Sequence, residues 1–131
     1  MAKTFNYKTK IYYEDTDAGG IVYYANYLKY LERARSEAIY SLGLSNLKLQ
    51  KDYGALIIVK SCNIKYKKPA KFEDDLEVLS SVISKTRTSF SMLQIIKRNE
   101  EIISEAEVQL VTVNDDGKPI KIPEVLLKLF D

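Results

Sequence analysis

Three carboxylates fall within four positions, at Glu14, Asp15 and Asp17, followed by Gly19 and Gly20 and then by the apolar and aromatic run Ile21 to Tyr24. The chain contains no histidine. A serine or cysteine nucleophile with a histidine base is therefore excluded, as is a zinc site built on imidazole. Acid-base chemistry falls to Asp, Glu, Lys, Tyr or backbone groups, and the acidic loop is where such groups are densest. A plainer reading competes at the same residues. Aspartate before glycine is ordinary turn chemistry, and an acid ahead of a helix is favoured by the helix dipole whether or not a reaction occurs. A calcium loop is a third reading, since Asp15, Asp17 and Gly20 match its positions one, three and six. Position five would then be Gly19 and position twelve Asn26, so the bidentate glutamate is missing, and a strand precedes the loop where a helix is required.

Other chemistries are excluded by composition. Lys and Arg total 20 against 18 Asp and Glu, a net charge of +2, which provides no broad positive field for nucleic acid or an anionic membrane. Cys62 is the only cysteine, so no internal disulfide and no paired-cysteine metal or redox motif can form. Gly19-Gly20 is not followed by a lysine-serine pair and no GxGxxG occurs, which removes the phosphate cradles. The N-terminal MAKTFNYKTK has no apolar core of signal-peptide length and no stretch reaches the ~18 to 20 apolar residues of a membrane span, which implies a cytoplasmic chain without membrane insertion. At 131 residues and 46% hydrophobic composition, one domain over residues 1–131 is expected.

The elements that position the acidic loop are legible as periodicities. Residues 4 to 13 alternate with Phe5, Tyr7, Thr9, Ile11 and Tyr13 on one face, which predicts a half-buried strand. After the loop, Tyr27, Leu31, Ala34, Ala38 and Leu42 recur at helical spacing, flanked by Leu28 and Ile39, and Gly43 stands where a left-handed cap is expected. One amphipathic helix over about 24 to 42 follows, with Asn26 as a cap near its start. A shorter helix is expected at Ser45 to Tyr53, ended by Gly54. Four strands come next, at 55–66, 75–84, 89–98 and 103–113, rich in β-branched residues and joined by connections short enough to predict antiparallel neighbours. Asp116-Gly117 is a turn, and 123–130 reads as a last short helix opened by Pro123. The fold class is α+β, a roughly five-stranded antiparallel sheet wrapped around one long helix. Such an arrangement leaves one sheet face and an edge uncovered, which points to self-association.

The stretch YYEDTDAGGIVYYANYLKYLERARSEAIYSLGL resembles the opening of the hotdog-fold 4-hydroxybenzoyl-CoA thioesterase family, and is most similar to its Tol-Pal-associated branch, the YbgC type of acyl-CoA thioesterase. The similarity continues through SCNIKYKKPAKFEDDLEV and SFSMLQIIKR. It implies a hotdog fold and hydrolysis of an acyl-CoA, or of an acyl carrier protein thioester, to a carboxylic acid and a free thiol, with no metal or cofactor. It implies that Asp17 attacks the thioester carbonyl or activates a water to do so. Physics agrees with that role: a thioester needs a nucleophile or base on one side and donors facing its oxyanion on the other, and a helix N-terminus supplies such donors. By the resemblance the main donor is the backbone N–H near Tyr24, with Gly20, Val22 and Tyr23 shaping the wall. Glu14 and Asp15 are then structural, capping the turn or tuning charge near Asp17. A homodimer with sites at the subunit interface, or a homotetramer, is the implied assembly.

Many members of the Tol-Pal branch carry histidine where this sequence has Tyr24. Tyr24 would then place a hydroxyl in the site or simply fill the pocket, and substrate choice turns on it. Without that histidine an alternative stays open, a catalytically weak hotdog module that binds acyl carrier protein or another partner. A dehydratase or isomerase on the same fold is weakened by the same absence, because hotdog dehydratases generally rely on histidine. Two basic clusters remain. Lys85 and Arg87 in a hairpin loop are candidate contacts for CoA phosphates, whereas Lys65, Lys67, Lys68 and Lys71 read as a solvated surface. Glu32, Arg33, Arg35 and Glu37 are expected to form ion pairs within or between subunits, and Cys62 is expected to be a small core residue.

Overall fold

The computed structural model describes residues 3–130. Five strands, β1 (Thr4–Lys10), β2 (Leu56–Tyr66), β3 (Asp75–Lys85), β4 (Ser89–Arg98) and β5 (Glu101–Val113), form one antiparallel sheet in the order β1-β3-β4-β5-β2. Helix α1 (Asn26–Ser41) packs across β1 and β3, and α2 (Asn46–Tyr53) lies beside β2. This is the α+β architecture that the strand and helix periodicities predict.

The sheet is ordered by its alternation. Leu76, Val78, Ser80 and Val82 of β3, Phe90, Met92, Gln94 and Ile96 of β4, and Ala106, Val108 and Leu110 of β5 are buried in steps of two. A period of two places each set on one face, and against that face α1 buries Tyr27, Tyr30, Leu31, Ala34, Ala38 and Ile39. Leu28, counted on the stripe's flank from sequence, is nearly half exposed, and Tyr30 takes the inward position instead.

Several boundaries differ from the expected ones for physical reasons. β1 stops at Lys10, because the chain turns at Tyr12, whose N–H donates to Asp15 Oδ2, and residues Tyr13–Asp15 form a 3₁₀ turn. The long helix starts at Asn26 rather than at 24, and Asn26 does not cap it: Ala25 is the N-cap residue, and the Asn26 side chain donates to the Asp15 carbonyl. Ser45 caps α2 by accepting the Lys48 N–H, and Gly54 ends it at φ +64°. The C-terminal segment is a 3₁₀ helix over Glu124–Leu129 that packs Leu126 and Leu129 into the core.

The connection after β2 corrects the simplest topology. β2 and β3 are not neighbours; residues 67–74 cross from one edge of the sheet past β5 and β4. Three strand spacings are about 14 Å, well within the reach of eight residues. This crossover runs directly beside the acidic loop.

One side-chain expectation fails, and of a second only the pairing within one subunit does. Cys62 is exposed, because β2 is an edge strand that α1 does not cover. Among the described residues no ion pair joins Glu32, Arg33, Arg35 and Glu37. Arg35 instead donates from Nη1 to Gln94 Oε1 at 3.0 Å, since its position on α1 faces the sheet.

Candidate active site

Residues 16 to 22 form a small loop closed on itself. Thr16 and Val22 bridge, the Asp17 N–H donates to the Ile21 carbonyl at 2.8 Å, and the Gly20 N–H donates to the Asp17 carbonyl at 3.0 Å. Gly20 has φ +78°, a left-handed conformation that glycine adopts without the cost a side chain would carry. Asp17 Oδ1 accepts the Gly19 N–H at 2.8 Å, so the turn role read from sequence is real. That bond uses one carboxylate oxygen; Oδ2 accepts no hydrogen bond among the described residues.

Asp15 serves a different turn, and its carboxylate caps the Tyr12 N–H. Its carbonyl accepts from the Asn26 side chain at 2.8 Å and from the Tyr23 N–H at 3.1 Å, which ties the loop to the start of α1. The first N–H groups of α1 are used as a helix entry uses them: Asn26 donates to the Tyr23 carbonyl and Tyr27 to the Tyr24 carbonyl. The N–H groups of Tyr24 and Ala25 have no partner among the described residues. They stand at the positive end of the helix dipole, where an oxyanion is stabilised.

An open cleft of about 400 Å³ is lined by Asp17, Val22, Tyr23, Tyr24, Tyr27, Tyr66 and the 67–69 segment. Tyr24 is 62% exposed, so it forms a wall of the cleft rather than filling the core. Its ring stands edge-on to Tyr66 at 6.0 Å between centroids, and the Tyr66 hydroxyl donates to the Tyr24 carbonyl at 3.2 Å. Burial raises the Tyr66 phenol above its ordinary value, so at neutral pH it stays a donor. Tyr27 is buried, and its hydroxyl accepts the Ala70 N–H at 3.0 Å.

The cleft thus brings Asp17, Val22, Tyr23 and Tyr24 together, with Gly20 shaping the loop behind them. Lys85 and Arg87 lie elsewhere. They sit at the far end of β3, about 33 Å along the strand from Asp75, where they line a second cleft of about 430 Å³ with Lys121, Ile122 and Leu127. Lys85 Nζ also stands 5.0 Å over the Phe130 ring. A third cavity, of about 170 Å³, lies between α1 and the sheet, with Arg35 in its wall.

Tyr66 and Gln94 were not singled out from the sequence as site or framework residues, and Tyr27 was read only as part of the helix stripe. Gln94 left a usable trace, because it is a polar residue in the inward register of a strand that otherwise reads Phe90, Met92, Ile96. Tyr66 left none in a chain with ten tyrosines, and the spacing of Tyr27 marked it as core rather than as a wall of the cleft.

Residues 12–130 match the family model described as the thioesterase-like superfamily. The chain belongs to that superfamily. An acyl-CoA thioester hydrolase, YbgC, of Escherichia coli is 34% identical over 96% of this chain and 95% of its own length. A probable thioesterase of Bartonella henselae has 28% identity and a TM-score of 0.87, over 92% of this chain and all of that one. A 4-hydroxybenzoyl CoA thioesterase mutant, solved with 4-hydroxybenzoyl CoA, shares the fold at a TM-score of 0.92 and 22% identity, over 99% of this chain and 100% of that one. The thioesterase-like fold is therefore common to the whole described chain, and the acidic loop lies inside the matched region.

Proposed function

We propose that this protein is an acyl-CoA thioesterase in which Asp17 is the nucleophile or general base and the backbone N–H of Tyr24 is the main oxyanion donor. The observation that carries the reading is one cleft lined by both Asp17, whose Oδ2 has no partner among the described residues, and Tyr24 at the helix start, whose N–H has none among them. In the general-base form, Asp17 takes a proton from a water that attacks the thioester carbonyl carbon. The oxyanion that forms is held by the Tyr24 N–H, and its collapse expels the CoA thiolate, which takes the proton back from Asp17. In the nucleophilic form, the Asp17 carboxylate attacks the carbonyl carbon and forms an acyl anhydride as the C–S bond breaks; water then hydrolyses the anhydride to the free acid and protonated Asp17, and that proton neutralises the thiolate. Tyr24 and Tyr66 give the cleft an aromatic wall.

The same reading includes a homodimer, or a homotetramer built from it. β1 is a short edge of seven residues with Lys8 and Lys10 on it, whereas the β2 edge runs for eleven residues with Ile58, Val59 and Cys62 exposed. A long apolar edge is a pairing surface, and the cleft opens beside Tyr66 at its end. No helix of the described residues is long and apolar enough to cross a membrane. Lys85 and Arg87 remain proposed contacts for the nucleotide phosphates, although they line a different cleft from Asp17.

The test is thiol release from short, medium, long and aromatic acyl-CoAs by the wild type and by Asp17→Asn. Selective turnover that the substitution abolishes, with the variant folded and oligomeric, is the expected result. Equal turnover by the variant would refute the role of Asp17. If acyl carrier protein is bound but neither its thioester nor any acyl-CoA is cleaved, the binding-module alternative holds instead.

A further inference from the structure

The loop that carries Asp17 is not braced by the central helix alone. Its outer strand, residues 20–22, is paired with the 67–74 crossover: the Val22 N–H donates to the Ala70 carbonyl at 2.8 Å, the Phe72 N–H donates to the Gly20 carbonyl at 3.2 Å, and Ile21 and Lys71 form the bridge between them. Whatever fixes the crossover therefore fixes the strand behind the carboxylate. The crossover is a tight excursion with its own strain. Glu73 holds φ +68°, in the left-handed region, and its N–H donates to the Ile11 carbonyl. A non-glycine residue persists there only where its surroundings over-determine it.

Arg98 supplies that determination. From the end of β4 its Nη1 donates to the Asp74 carboxylate at 2.7 Å and to the Pro69 carbonyl at 3.1 Å, so one nitrogen ties the two ends of the 69–74 segment together. Asp74 Oδ2 also accepts the Lys71 N–H at 2.8 Å, closing the turn from inside. The other guanidinium nitrogens, Nε and Nη2, donate to Glu101 Oε1, and Glu101 in turn pairs with Lys68 of the crossover. Asn99, the second non-glycine residue with positive φ among those described, turns the hairpin that presents Arg98 and Glu101. With side chains 19% and 21% exposed, Arg98 and Asp74 form the most sheltered ion pair of the described residues. A planar guanidinium that meets Asp74 and Pro69 through Nη1 and Glu101 through Nε and Nη2 at once is a geometry that lysine cannot reproduce.

We propose that Arg98 is a positioning residue for thioester cleavage, acting through Asp74 and Pro69 on the crossover and through the crossover on the Asp17 loop. The proposal rests on the assignment of Asp17 made above. It extends the machinery to a side chain that touches neither the cleft nor the substrate.

The experiment compares Arg98→Met, Arg98→Lys and Asp74→Asn with the wild type and Asp17→Asn, using the best acyl-CoA found for the wild type. Arg98→Met is expected to lower kcat about 10- to 100-fold, the scale on which small misplacements of a reacting group act, with KM changed less than about twofold. Arg98→Lys recovers part of that loss, and it carries the test if the methionine variant does not fold. Amide exchange is the readout that a merely stabilising ion pair would not move selectively: Val22 and Phe72 should exchange faster in the variants while Val108, in the centre of β5, keeps its protection. An unchanged kcat in folded Arg98 variants overturns the proposal, as does a lower kcat with Val22 and Phe72 protected as in the wild type. Full turnover by Asp17→Asn would refute the assignment of Asp17 itself. An inactive Asp17→Asn beside a fully active Arg98→Met would refute this proposal alone.

Discussion

Replacing Tyr27 by phenylalanine removes one oxygen from the protein and leaves a buried donor behind. That oxygen accepts the Ala70 N–H at 3.0 Å; Tyr27 is 3% exposed and Ala70 is fully buried, so no water reaches the amide once the hydroxyl is gone. A buried N–H left without an acceptor costs about 1–3 kcal/mol. The ring itself stays, packed against Tyr66 at 5.0 Å, so no large cavity adds to the loss. The expected loss of stability is thus about 2 kcal/mol, or roughly 5–10 °C in Tm for a chain of this length. Tyr66→Phe is the internal control. Its hydroxyl bonds to the Tyr24 carbonyl at 3.2 Å on an exposed wall, where water substitutes, and its cost should stay within about 0.5 kcal/mol. Both would be measured by urea denaturation at one fixed protein concentration, because self-association would otherwise shift the midpoint. A Tyr27→Phe variant as stable as Tyr66→Phe would refute the claim that the Ala70 amide depends on this bond.

Gln94 makes a second buried test. It is 0% exposed, and its Nε2 donates to the Leu31 carbonyl at 3.0 Å and to Ser80 Oγ at 2.9 Å while its Oε1 accepts from Arg35. Gln94→Met strands the Ser80 hydroxyl and the Arg35 guanidinium together, and should cost about 2–4 kcal/mol in urea denaturation. Glu101 predicts a pH dependence. Its hydrogen bond with Lys68, and then that with Arg98, hold its carboxyl below the ordinary carboxylate range. A depressed folded value means that the contribution is present above the unfolded value and is lost as pH falls through the folded one. Wild type and Glu101→Gln should therefore differ in stability at neutral pH and converge in acid, below the ordinary titration range of glutamate. Parallel curves would show that Glu101 is not linked to folding.

The sequence by itself determined the elements and the kind of chemistry. Periods of two and of 3.6 are local properties, so the strands, the helix stripe and the left-handed Gly43 and Gly54 were all legible within a few residues of each position. The absence of histidine narrowed the acid-base groups to Asp, Glu, Lys, Tyr and backbone, a fact of residue type, whereas Asp17 was singled out among the three acids only by the resemblance of its loop to the thioesterase family. Pairings between distant segments were not legible. The alternation of β2 predicts a strand but not that it lies at the sheet's edge, and that position alone makes Cys62 exposed. The crossover over 67–74 read as a basic connection, yet in three dimensions it is the brace of the acidic loop. Nothing near Arg98 in the chain indicates that its partners are Pro69 and Asp74, more than twenty residues away. Only the tertiary structure decided which carboxylate lines the cleft: Asp15 and Asp17 each give one oxygen to a backbone N–H, but of the two only Asp17 is in the cleft wall.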